Sequence, residues 1–292
     1  MKPAHNQTMK PANNHAKTRN TALCRILILA IVMALSASPL HAIEENPEYS
    51  IVRYCEGIVA EPGNPLNYYR AAQTFARSGA PMWAMALAET SILLNPSDTE
   101  RHLEMSGLMR AIFELKLQEA PEKLRIFQAD STMAKIDPLN IIYQMHELNF
   151  ENLSSGLLTG STFHFIENED KRPKSYVEYF ALLREDGLSF YSIILKDFFD
   201  NRMELMNYQS KVLKAGHWIA YNYFTMGYAY PEELREWMMK NEEKMRKFLK
   251  WLRKNPIVLN EKHTVSPYQQ KENPPRISDI QAIMLQSLLL IR

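Results

Sequence analysis

The sequence predicts an all-α fold, a helix-turn-helix array followed by a C-terminal helical bundle. Three observations predict it. Pro62 and Pro96 stand 34 residues apart, and each closes a stretch of helical pattern. Apolar residues recur at helical spacing through most of the chain. Cap signals such as Asn46-Pro47, Asn64-Pro65 and Ser278-x-x-Gln281 precede the apolar stretches. A helix pair of about this period cannot bury its apolar face alone, so it stacks on neighbours.

Taken in order, Asn46-Pro47 opens the first helix and Asn64-Pro65 the next, with Gly63 and Gly79 at the turns between helices. Ser97 or Asp98 caps a segment reaching about Ala120, apolar through Leu103, Met105, Leu108, Met109, Ile112 and Leu115. Residues 122–136 and 139–152 read as two further helices. Gly156 and Gly160 then break the pattern. The polar stretch 155–174 reads as an irregular linker, with Thr162–Ile166 its one strand-like piece. This linker separates an array over 43–154 from a helical region over 175–292. In that region Ser175–Arg184, Leu188–Phe199 and Asn201–Lys214 read as helices, with a turn at Gly187 and a stop at Gly216. An aromatic segment follows, and Pro231 starts a helix over Glu232–Lys254. Its acids lie at the start and its bases at the end, as the helix dipole favours. Four prolines fall in 255–276, and an apolar stripe from Ile280 to Ile291 makes the last helix.

The paired segment resembles the tetratricopeptide repeat over residues 47–150. Tyr68, Ala71, Ala72 and Phe75 hold the large, small, small and aromatic places of the first helix. Gly79 sits at the turn, Ala84 and Ser91 at the small places of the second helix, and Pro96 closes the unit. Tyr54, Gly57 and Pro62 match the preceding half-repeat. Ala88 departs from the pattern, which usually has an aromatic there. Asp137-Pro138 comes 42 residues after Pro96 rather than 34, so later copies decay. The resemblance implies an extended surface for a protein or peptide partner, with Tyr68 and Phe75 lining a groove.

Residues 1–42 read as a secretory signal. They carry five basic residues and no acid, a 12-residue apolar run at Ile26–Ala37, and Ala42 at the cut. That run is short of the roughly 20 residues a membrane span needs. The expected location is exported and periplasmic in a bacterium, with an uncleaved inner-membrane anchor as the alternative. Without this segment 29 basic and 33 acidic residues remain, a net charge of −4, which gives no footprint for nucleic acid. Cys55 is then the one cysteine left. It shares a helical face with Ile51 and Ile58 and reads as a buried apolar residue.

Catalytic and cofactor motifs are lacking. There is no GxGxxG, Gly-Lys-Ser/Thr, GxSxG, SxxK or HExxH, and His102, His146, His164, His217 and His263 are spaced for no local metal site. Asp197, Asp200 and Glu204 suit a helix cap better than a carboxylate pair. No catalytic, cofactor or metal residue is therefore assigned. Two clusters offer partner surfaces. Trp218 and Tyr221 belong to the aromatic run 217–230, which reads either as a hot-spot surface or as core. Lys244, Lys247 and Trp251 lie on a basic face of the 240–254 helix, suited to an acidic partner or an anionic membrane surface. The expected function is a protein-binding or assembly module of the cell envelope. An envelope enzyme with a site built from distant helices, and a membrane-tethered structural component, stay open beside it.

Overall fold

Pro47, Pro65, Pro81 and Pro231 each begin a helix, because proline's fixed φ suits the first turn and its missing N–H is not needed there. The computed structural model describes residues 47–129, 150–191 and 203–267. It is all-α over these residues. The helices are α1 (Pro47–Ala60), α2 (Pro65–Arg77), α3 (Pro81–Leu94), α4 (Thr99–Ala129), α5 (Phe150–Glu167), α6 (Tyr176–Phe190), α7 (Glu204–Lys214), α8 (Trp218–Met226) and α9 (Pro231–Lys254). An isolated antiparallel bridge joins Met203 to Val265.

Helices α1 to α4 pack each on the next, and α2 against α3 is the tightest pair. The reason is side-chain size. Ala71 and Ala72 on α2 and Ala84, Ala88 and Ser91 on α3 are all fully buried, and the Ser91 hydroxyl donates to the Pro65 carbonyl at 3.0 Å. Asn64 caps α2 by accepting from the Leu66 amide at 3.0 Å. The α2–α3 turn is a Schellman closure. Gly79 takes φ +82°, and the Ala80 amide reaches back to the Phe75 carbonyl at 3.2 Å. Gly216 repeats the device after α7, at φ +73° with His217 N–H on the Val212 carbonyl at 3.1 Å. Helices α5, α6 and α8 then pack on one another and on α3 and α4, forming one continuous core with the first four helices.

Several expected elements differ. The 155–174 linker is helical through Glu167, as the end of α5, with a 3-10 turn at Glu169–Lys171. Gly156 and Gly160 weaken helix propensity, but burial of Leu158, Phe163 and Phe165 outweighs a cost of about 1 kcal/mol per glycine. Thr162–Ile166 is thus helix, not strand. Gly187 lies inside α6 rather than at a turn. Helix α4 continues through Pro121 to Ala129, so no break precedes residue 122. Leu103 and Leu115 are exposed, because Met105, Leu108, Met109 and Ile112 hold the buried face of α4. Parts of the expected helices over 122–136, 139–152, Leu188–Phe199 and Asn201–Lys214, the whole of the expected last helix from Ser278, and the signal segment lie outside the described residues.

Candidate functional site

Helix α3 reads PMWAMALAETSILL, and Glu89 is its one charged residue. A helix apolar all round is buried, so its carboxylate is buried with it, 2 % exposed. An isolated buried carboxylate is very costly, and three other helices supply its partners. Arg184 of α6 places Nη2 2.6 and 2.7 Å from the two Glu89 oxygens. Gln209 of α7 donates Nε2 at 3.1 Å. Tyr221 of α8 donates its hydroxyl in a short hydrogen bond. Each carboxylate oxygen therefore accepts two hydrogen bonds.

The guanidinium is held in turn. Its Nη1 donates to Asn222 Oδ1 at 2.7 Å, and Asn222 Nδ2 donates to the Trp218 carbonyl at 2.8 Å. Its carbon lies 4.8 Å from the Phe180 ring centre and 5.1 Å from that of Trp218, within cation–π range. Burial, reinforced by the Glu89 charge, pushes the Tyr221 phenol well above its ordinary range, so it stays a donor. Four helices are thus tied to one buried ion pair.

A cavity opens beside this pair, with an empty volume of about 630 Å³ that includes solvent at its mouth. Glu89, Arg184, Gln209 and Ser154 give it polar groups. The rest is apolar, with Met82 and Met85 of α3, Leu157 of α5 and Met206 of α7 on its walls. Phe150 also lines it and packs on Trp83 with ring centres 4.3 Å apart. Near the cavity, Glu151 of α5 accepts from the Met82 and Trp83 amides, each at 2.9 Å. It caps α3 from another helix, since the N-cap residue Ala80 has no side chain to do so. Burial raises the Glu151 carboxyl above its ordinary range, against the pull of those two amides.

The expected partner residues do not form one surface. Tyr68 is fully buried, its hydroxyl on the Pro62 carbonyl at 2.9 Å, and Phe75 is 6 % exposed. Neither lines an open groove, because both fill the seam that α2 presents to its neighbours. Trp218 and Tyr221 are core residues. Trp218 donates Nε1 to the Ala181 carbonyl at 2.9 Å, and Tyr221 belongs to the ion-pair centre. Trp251 does not stand apart from the core. It is half-buried against Tyr208 and His217, with ring centres 6.1 and 5.5 Å away. Lys244 and Lys247 are exposed, as expected. Glu89, Arg184, Gln209 and Asn222 escaped sequence reasoning, although a lone acid in a helix as apolar as α3 is a signal for a buried partner.

Among the described residues, no group of three His, Cys, Asp or Glu side chains could hold a metal ion. No helix among them is long and apolar enough to cross a membrane. No family model, curated protein or solved structure matches the chain.

Proposed function

We propose that this protein is exported to the bacterial cell envelope and works there as a protein-binding or assembly module, with α1 to α4 stacked as tetratricopeptide-like pairs. One observation carries the reading. Helix α4, the last of the four consecutively packed helices, holds Leu115 and Ile126 in solvent at 49 % and 59 % exposure. Eleven residues is about three helical turns, so the two share a face. Helices α5 and α8 cover another side of α4, and in a stacked array a helix face left open, as this one is, is where a further layer docks. Small residues at the α2–α3 contact and the Gly79 turn support the repeat reading; the leader-like residues 1–42 support export.

The test has two arms. N-terminal sequencing of the envelope form reads Ile43 as the first residue; cytosolic protein with residues 26–37 intact overturns export. Envelope partners captured by the wild-type protein are compared by mass spectrometry with those captured by a Leu115→Lys, Ile126→Glu variant. Loss of specific partners at an unchanged melting temperature supports the reading. An identical partner set removes the α4 face from it.

A further inference from the structure

We propose that the cavity beside Glu89 and Arg184 is a binding site for an uncharged amphiphile, a molecule with an alkyl body and a hydroxyl or amide head. This is independent of the α4 docking face. Three features of the cavity define the occupant.

The first is charge. Its charged groups neutralise each other, since Arg184 meets both Glu89 oxygens and Tyr221 and Gln209 fill their remaining positions. A ligand carboxylate would meet the carboxylate of Glu89 with no unpaired cation among the described lining residues, and a ligand ammonium would meet an already paired anion. An unpaired charge brought out of water here is strongly disfavoured.

The second is the wall. Met82, Met85 and Met206 line it together with Leu157 and Leu183. Methionine is unbranched and polarizable, so such a wall adapts to a flexible chain rather than dictating one shape. The cavity is partly open to solvent, so a chain end can enter it while the rest of the molecule lies at its mouth.

The third is the polar end. Gln209 is 6 % exposed and lines the cavity, and one hydrogen of its amide goes to Glu89. The rest of that amide can take one hydrogen bond and give another. A hydroxyl or primary amide, each both donor and acceptor, answers it; a hydrocarbon would leave it unmet. Ser154 on α5 offers a second such group.

The test is titration of the full chain with 1-octanol, octanoate, octylammonium, 1-hexanol and 1-decanol, monitored by tryptophan emission and calorimetry. Trp83 reports because it packs on Phe150. The expected result is saturable binding of one 1-octanol per chain, with octanoate and octylammonium weaker by at least about tenfold. Non-saturable uptake, or equal affinity for the charged probes, overturns the proposal. Met206→Trp fills the cavity from a partly buried position and should weaken 1-octanol by more than about tenfold. Leu157→Ala enlarges it and should move the preferred alcohol to a longer chain. Unchanged binding in both variants places the alcohol elsewhere and overturns the site.

Discussion

His102 donates its Nε2 hydrogen to the carbonyl oxygen of Phe224 across 2.8 Å, joining α4 to the end of α8. It is the first rung of a ladder. Ser106 donates to the Thr225 carbonyl at 2.7 Å, and Arg110 to the Ala229 carbonyl at 2.7 Å. Tyr230 then donates to Glu114 at 3.1 Å. Residues 102, 106, 110 and 114 recur every four positions and so form one stripe on α4. The last carbonyls of a helix have no partner within it, and this stripe satisfies two of those of α8.

The ladder makes stability depend on pH. His102 is 2 % exposed, and burial lowers its pKa from the ordinary 6.5, against the Phe224 hydrogen bond. The neutral ring therefore contributes stability that is present above the unfolded value of 6.5 and lost as pH falls through the lower folded value. Urea unfolding from about pH 7 down to about pH 5 should show a steeper loss in the wild-type protein than in His102→Gln, whose amide keeps a donor but does not titrate. Parallel pH profiles would mean that His102 is not protected from protonation.

The Glu89–Arg184 pair predicts strong coupling. Arg184→Met leaves a buried carboxylate without its cation and should cost about 3–5 kcal/mol in denaturant unfolding. Glu89→Gln should cost a similar amount, because it strands the guanidinium. The double variant should be more stable than the sum of the two losses implies, since it leaves no lone charge. Additive losses would show that the two side chains act separately.

Local and long-range information divide here. The helix starts at Pro65 and Pro231, the turn at Gly79 and the burial of Ala84 and Ser91 were legible, because cap chemistry and side-chain size act over a few residues. The cap on α3 was not. Ala80 offers no polar side chain, and Glu151 arrives from 68 residues beyond Trp83. Glu233 likewise caps α6 by accepting from Ser175 Oγ at 2.6 Å and from the Tyr176 and Val177 amides at 3.1 and 3.2 Å. The glycines of α5 misled for a related reason, since tertiary burial outweighed their local preference. The candidate site was the least legible. Of its ion-pair centre, Tyr221 alone stood out, as part of an aromatic run that read either as surface or as core.

The α2–α3 seam predicts intolerance to bulk. Ala84 is fully buried on α3. Ala84→Leu adds three carbons to a packed contact and should cost about 1–3 kcal/mol through off-rotamer packing. A thermal melt unchanged by the substitution would show that the two helices have room between them there. Ala84→Gly tests the opposite change, and should cost about 1 kcal/mol from helix propensity alone.

The exposed basic face of α9 predicts a salt-sensitive contact. Lys244 and Lys247 point to solvent, with Met245, Phe248 and Leu252 on the buried side. Lys247 lies 3.7 Å from Glu243, an exposed pair of little structural weight. Lys244→Glu with Lys247→Glu should therefore shift unfolding by less than about 0.5 kcal/mol. If anionic lipid is a partner of this face, the same change should weaken cosedimentation with phosphatidylglycerol vesicles. Wild-type binding should also fall as salt rises, because the Debye length shrinks from about 10 Å at 0.1 M to about 3 Å at 1 M. Vesicle binding that is unchanged by the double substitution, or insensitive to salt, would mean that this face is solvated surface and that α9 serves the fold alone.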